Sequence, residues 1–242
     1  MEHLTAVILA GGLGTRLRSA VPDRQKVIAQ VGGRPFLSYL LDQVASAGAR
    51  EAVLCTGYLG EQVREQLGDS YRGLRLAYSQ EPSPLGTGGA LRLVSALVKS
   101  PELLVLNGDS FFGLDLAAFR AWHDARRAAA TIALVEVADA GRYGCVDVGP
   151  DGAVARFQEK GSRPGQAWIN AGVYLLARRL LSEVPRDREV SLERELFPAW
   201  IGQGVYGYQA GGKFLDIGDP DAYAAAESFF AVPAMASRQG AA

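Results

Sequence analysis

Ala6-Val-Ile-Leu-Ala-Gly-Gly-Leu-Gly-Thr-Arg-Leu-Arg18 joins a short apolar run to a glycine turn and two arginines. Val7 to Leu9 read as a buried strand. The run stops at Gly11, Gly12 and Gly14, where glycine lets the backbone turn tightly and aim its N–H groups into a concavity suited to phosphate oxygens. Arg16 and Arg18 place charge just beyond that concavity, which favours a polyphosphate over an ordinary strand-to-helix turn. Two familiar phosphate loops fail on single positions. Thr15-Arg16 stands where a Walker loop needs lysine and a hydroxyl, and Leu17 stands where a dinucleotide fingerprint from Gly12 needs a small residue.

Outward from this turn, strand and helix patterns alternate. A helix is expected over residues 36–47, apolar at Leu37, Leu40, Leu41 and Val44, with Gly48 ending it. A strand over 52–56, a helix over 61–67, a strand over 74–78, a loop over 82–89 and a helix over 90–98 follow. Residues 103–106 are a short, wholly apolar strand of the kind buried in a parallel sheet. This order predicts an α/β fold: a doubly wound, mostly parallel, Rossmann-like sheet with ligands outside the carboxyl ends of its strands. After residue 130 the pattern changes to strands over 131–137, 144–148, 154–159 and 168–176 with short connections. They read as a mixed or antiparallel extension that carries a second substrate. Helices near 192–197 and over 219–230 close a single domain at residue 231, with about 1–130 serving the nucleotide and 131–231 the partner. The small, polar tail over 232–242 is expected to fray. No hexapeptide repeat is present.

The chain has 242 residues and a formal net charge of −1, which gives no basic track for nucleic acid. No apolar run approaches the roughly 20 residues of a membrane span, and no secretory signal precedes the first strand. The expectation is a cytoplasmic protein with small-molecule partners, no nucleic acid and no membrane; its oligomeric state stays open, a homo-oligomer included. Cys55 and Cys145 lack metal-ligand spacing, and Cys55 reads as a buried thiol. His3 and His123 are isolated and read as surface residues.

Two acids end apolar runs. Asn107-Gly-Asp109 follows the strand at 103–106, and Lys213-Phe-Leu-Asp-Ile-Gly218 ends another with Asp216. Each carboxylate suits a hard cation held against phosphates, and each equally suits a turn. Sequence alone does not show that the two meet.

Leu9 to Leu17 resembles the opening motif of the sugar-1-phosphate nucleotidyltransferases, Leu-Ala-Gly-Gly-x-Gly-Thr-Arg-Leu, and the resemblance runs along nearly the whole chain. It implies the nucleotide-diphospho-sugar transferase type of fold and a nucleoside triphosphate on Leu9, Ala10, Gly11, Gly12, Gly14 and Thr15. Arg16 and Lys26 would be catalytic. The family usually has proline after that lysine, where this chain has Val27. Asp109 and Asp216 would hold Mg²⁺. Glu81 to Ala90 is similar to the nucleobase loop, with Glu81, Gly86 and Thr87 in it. Tyr143-Gly144, Glu159-Lys160-Gly161 and Ile169-Asn-Ala-Gly172 match the sugar-phosphate segments in order: Gly144 through its backbone, Glu159 and Asn170 to sugar hydroxyls, Lys160 to phosphate. Within the family the pattern is similar to the D-glycero-α-D-manno-heptose 1-phosphate guanylyltransferases, with mannose-1-phosphate guanylyltransferases sharing the Pro-Leu-Gly-Thr element and uridylyltransferases a similar loop.

The expected reaction joins a sugar 1-phosphate to GTP and releases pyrophosphate. Glu81 motivates the choice of base, since an ionised carboxylate only accepts and guanine offers two adjacent donors. A dinucleotide-dependent oxidoreductase conflicts with Leu17. A metal-dependent glycosyltransferase would carry Asp-x-Asp, where this chain has Asp109-Ser-Phe111. A regulatory nucleotide-sugar-binding subunit would not need the full set of Arg16, Lys26, Asp109, Lys160 and Asp216.

Overall fold

A computed structural model describes residues 1, 4–17, 20–158, 164–186 and 188–231. The sequence expectations for His3, Arg18, Glu159, Lys160, Gly161 and the tail over 232–242 lie outside these residues. The nucleotide half runs β1 (Thr5–Ala10), a ribbon of β2 (Gln30–Val31) and β3 (Arg34–Pro35), α1 (Leu37–Ser46), β4 (Glu51–Thr56) and α2 (Gly60–Leu67). It continues with β5 (Ser70–Tyr71), β6 (Leu74–Gln80), α3 (Gly86–Val94), β7 (Glu102–Asn107), β8 (Ser110–Phe112) and α4 (Leu116–Arg126). The second half contains β9 (Ala130–Val137), β10 (Cys145–Val148), β11 (Val154–Gln158) and β12 (Ala167–Ala177). A π-helical turn, Leu192–Leu196, then leads into α5 (Phe197–Trp200), followed by β13 (Val205–Ala210), β14 (Phe214–Asp216) and α6 (Pro220–Phe230).

Strands β6, β4, β1 and β7 pair in parallel, so the strand order reverses beside β1. That reversal opens a crevice at the carboxyl ends of β1 and β7. β12 then joins β7 antiparallel and carries the sheet on through β10 and β11 on one path and β9 and β13 on another. A ten-stranded sheet of the described residues therefore spans both halves, with parallel strands first and a mixed extension second, antiparallel except where β13 pairs with β9 in parallel. Its two faces bury separate apolar layers: Ala6 and Ile8 of β1 turn into one, and Val7 into the other. Burial on both faces explains why β1 and β7 read as continuous apolar runs instead of alternating ones.

The short strands β2, β3, β5 and β8 were not anticipated, nor were two longer elements, α4 and β13. α4 is only weakly amphipathic, and its start is set by Asp115, whose carboxylate accepts from Ala117 and Ala118 N–H at 2.9 and 3.0 Å. β13 is interrupted by Gly207, where a Cβ would lie 2.7 Å from Leu134. α3 begins at Gly86, four residues before its expected start, because its glycines allow the helix to pack closely: a Cβ at Gly88 would lie 2.7 Å from Leu196. His123 corrects another expectation. It is 1% exposed, with Nδ1 2.7 Å from Thr131 Oγ1 and Nε2 3.3 Å from Glu102. Burial holds its pKa below the ordinary histidine value, with Glu102 opposing that shift. Cys55 is buried as expected, and burial, reinforced by Glu81, pushes its thiol pKa upward. Among the described residues, no helix is long and apolar enough to cross a membrane.

Candidate active site

The glycine turn leaves the carboxyl end of β1 and is held from below. Gly14 adopts φ +60°, and its carbonyl accepts from Leu17 N–H at 3.0 Å. Leu17, 1% exposed, anchors the turn in the interior. That is the physical reason for a large residue where a dinucleotide loop needs a small one. Gln25, 2% exposed, pins the other side: its Nε2 donates to Ala10 and Gly12 carbonyls at 2.7 and 3.1 Å. Its Oε1 accepts from Val27 N–H at 2.7 Å, so one buried amide fixes both the glycine turn and the Lys26 turn. Ala10 is buried and contributes this carbonyl. Lys26 passes beneath Gly14, where a Cβ would lie 3.4 Å from its methylenes, and its ammonium pairs with Asp109.

The turn roofs a cavity of about 410 Å³ that Leu9, Gly11, Gly12, Gly14, Thr15 and Arg16 line together with Lys26, Glu81, Gly86 and Thr87. At its far end, half-buried Glu81 lies over two glycines: a Cβ at Gly11 or Gly57 would come within 2.5 or 2.6 Å of its Oε1. Its Oε2 accepts from Leu85 N–H at 3.1 Å. Burial raises the pKa of Glu81, the Leu85 N–H opposes that, and the negative charge of Glu189 adds to it. Gly86 adopts φ +71° and sits where a Cβ would lie 2.5 Å from Val190 O. The loop expected to hold the nucleobase is thus clamped to residues 188–193 of the second half, Thr87 Oγ1 donating to Glu193 at 2.8 Å.

The two acids meet through a small antiparallel pairing of β8 with β14. Asp216 is registered opposite Ser110, the residue after Asp109, and Ile217 N–H donates to the Asp109 carbonyl at 2.9 Å. Gly218 N–H donates to Asp216 Oδ1 at 2.7 Å. Asn107 Oδ1 and Ser110 Oγ beside them are buried without a hydrogen-bond partner among the described residues. Two hard carboxylates with spare buried oxygens nearby suit a divalent cation. A second group, Glu102, His123 and Asp124, lies at the opposite end of β7, but Arg120 already bonds Glu102 and Asp124 at 2.7 and 2.8 Å.

A further cavity of about 680 Å³ opens on the antiparallel side, lined by Tyr143, Gly144, Asn170, Asp216 and Glu193 among others. The two cavities share Arg16, Asn107 and Asp109. Gln25, Tyr174 and Glu193 are site components that the sequence reading missed. Gln25 left one signal: it immediately precedes the lysine that follows the phosphate turn.

Two adjoining cavities that share Arg16, Asn107 and Asp109 thus open near the carboxyl ends of β1 and β7, where open α/β sheets hold small ligands. The chain belongs to the Nucleotidyl transferase family, which it matches over residues 5–231. It is 38% identical over 224 residues to the mannose-1-phosphate guanylyltransferase of Mycobacterium tuberculosis, covering 91% of this chain and 62% of that protein. It is 34% identical over 220 residues to the D-glycero-α-D-manno-heptose 1-phosphate guanylyltransferase of Campylobacter jejuni, covering 91% of this chain and 97% of that protein. The chain thus spans nearly the full length of one relative and under two thirds of the other. Among solved structures, HddC from Yersinia pseudotuberculosis complexed with GMP-PN superposes with a TM-score of 0.83 at 31% identity, covering 94% of this chain and 100% of HddC. A putative glucose-1-phosphate thymidylyltransferase from Bacillus anthracis shares the fold, with a TM-score of 0.84 at 21% identity, covering 93% of this chain and 94% of that one.

Proposed function

We propose that this chain is a sugar-1-phosphate guanylyltransferase acting on GTP and D-glycero-α-D-manno-heptose 1-phosphate to give a GDP-sugar and pyrophosphate. The observation that carries the reading is the junction of two cavities at Arg16, Asn107 and Asp109. A transfer between two phosphates needs the substrates in line at one point, and that point is lined by charge. The heptose relative, matched over 97% of its length, supports the sugar; GMP-PN in the Yersinia neighbour supports the base. The 38% identity to the mycobacterial enzyme favours mannose 1-phosphate as the second reading.

The chemistry needs no general base. A phosphate monoester has a second pKa near about 6, so the attacking oxygen is anionic at neutral pH. What remains is repulsion between anions and alignment of the attacking oxygen, the α-phosphorus and pyrophosphate. The glycine turn holds the triphosphate by backbone N–H groups, and Arg16 stabilises charge growing on the departing pyrophosphate. Lys26 neutralises the triphosphate, and Lys160 the sugar phosphate. Gly144, Glu159 and Asn170 orient the sugar, while Glu81 accepts from guanine. Asp109 and Asp216 would hold Mg²⁺, which supplies positive charge against the reacting phosphates. The assigned setting is cytoplasmic, with no nucleic-acid or membrane partner.

Pairing each nucleoside triphosphate with heptose and mannose 1-phosphates, and measuring pyrophosphate release, tests the proposal. GTP with heptose 1-phosphate is expected to give the highest kcat/KM. A preference for UTP refutes the guanine assignment, a preference for mannose 1-phosphate refutes the heptose assignment, and GDP-sugar binding without turnover by any pair refutes catalysis.

A further inference from the structure

One buried hydroxyl bonds side chains that line the two cavities: Asn170 and Glu193 of the second, and Asn107, which both share. Tyr174, on β12, is 0% exposed, and its ring packs on Phe197 at 5.1 Å between centroids. Its hydroxyl donates to Glu193 Oε1 at 3.1 Å and accepts from Asn170 Nδ2 at 2.9 Å. Asn107 Nδ2 makes a longer contact with it at 3.4 Å. The remaining Glu193 oxygen accepts from Thr87 at 2.8 Å and Ser191 at 3.3 Å. Thr87 Oγ1 in turn accepts from Leu192 N–H at 2.8 Å.

This connectivity is specific. Asn170 Oδ1 accepts from Gly172 N–H at 2.9 Å, so with Nδ2 on Tyr174 its amide has a single orientation. The register of β12 against β9 shifts between Asn170 and Tyr174, and Gly172 in that shift adopts φ +75°. The shift is what allows residues four apart to meet at one hydroxyl. Burial and Glu193 keep the phenol pKa high, so it remains a donor.

We infer that Tyr174 is a positioning residue that links the nucleobase loop, through Glu193 and Thr87, to the sugar-facing amide of Asn170, so that each substrate orders the site for the other. The inference rests on the proposed pair of substrates. A nucleotide seated at Gly86 and Thr87 fixes Thr87 Oγ1, hence Glu193, hence Tyr174 and Asn170. The sugar phosphate then meets a network whose ordering cost is already met, and its affinity rises without a new contact. By linkage the nucleotide gains the same factor from the sugar phosphate.

The test measures mannose 1-phosphate and heptose 1-phosphate binding by calorimetry, with and without a non-hydrolysable GTP analogue and Mg²⁺. In the unaltered protein the analogue should tighten sugar-phosphate binding by a factor in the range of about 5–150. Tyr174→Phe should bring that factor close to one. Thr87→Val, which removes the hydroxyl at the far end of the chain of bonds, should also reduce it, and serves if the phenylalanine variant does not fold. Thr87→Ser should restore it. A factor undiminished in both the phenylalanine and valine variants overturns the inference, as does equal affinity with and without analogue in the unaltered protein. Failure of the unaltered protein to bind either ligand overturns the proposed function instead.

Discussion

On the side we assign to the nucleotide, the cavity is lined by the backbone of a glycine turn, and that turn is held by the buried Gln25 amide and the Leu17 anchor. On the side we assign to the sugar phosphate, the lining includes side chains of β12 and of the turn after residue 190, held by other side chains. The proposed function gives the two sides different things to recognise. Phosphates are alike in every nucleotide, so a backbone cradle with fixed charges suffices. A sugar is told from its isomers by hydroxyl positions, which needs oriented donors and acceptors. The difference also predicts how each side fails: the backbone side through its few charged groups and pins, the side-chain side gradually, as bonds are removed from a network.

The largest effect should come where the sides meet. Asp109→Asn removes a carboxylate that we assign to the metal and the partner of Lys26 together. Turnover should fall by several kcal/mol of transition-state stabilisation, on the order of a thousandfold, while the thermal unfolding midpoint changes little. Pyrophosphate release and circular dichroism check both halves of this, and full activity of the variant in EDTA would remove Asp109 from the metal site.

Next is Arg16, which lines both cavities. Arg16→Ala should lower kcat roughly a hundredfold, and Arg16→Lys should recover only part, since a point charge lacks the two-pronged guanidinium geometry. A rise in KM alone would make it a binding contact.

Gln25→Leu sharpens the comparison at the cradle itself. It leaves the Ala10 and Gly12 carbonyls and the Val27 N–H without their buried partner. A cost of about 1–3 kcal/mol is expected, distributed between stability and GTP affinity, with sugar-phosphate affinity in the absence of nucleotide unchanged. Equal losses for both substrates would show that the two sides are not separately held.

The cradle was legible because glycine and arginine carry their meaning locally: Gly14 needs φ > 0, and Arg16 follows it within one turn. The parallel core was legible because strands buried on both faces are apolar throughout. What was hidden depends on contacts far apart in sequence. Gln25 looks like any loop glutamine until its partners fold around it, and Thr87 and Glu193 are 106 positions apart. Asp109 and Asp216 could be named as acids, but only the pairing of β8 with β14 brings them together. His123 was misread for the same reason. Its partners Glu102 and Thr131 lie on β7 and β9, and with α4 unrecognised its spacing from Leu116 and Phe119 did not mark it as buried.

The smallest expected effect concerns the base. Glu81 has one oxygen on Leu85 N–H and the other over Gly11 and Gly57, and Glu189 lines the same cavity. Its raised pKa means that protonation begins at higher pH than for an ordinary glutamate. The neutral acid presents a donor to guanine's donors, so GTP affinity should weaken as pH falls through that raised pKa. In the ligand-free protein the sign is opposite: a carboxyl held above its unfolded pKa disfavours the ionised fold, a penalty relieved on acidification. Burial is the first cause of the shift and Glu189 a lesser one, so Glu189→Gln should move the acid limb of GTP affinity only slightly, and downward. Glu81→Gln should abolish the limb and reduce selectivity for GTP over UTP by roughly ten- to a hundredfold. The measurement is KM for GTP and UTP against pH for the three proteins in one buffer series, which cancels ionisation of the nucleotide itself. An acid limb unchanged in Glu81→Gln would place base reading on backbone groups near Gly86, and the base would then be recognised in the same way as the phosphates.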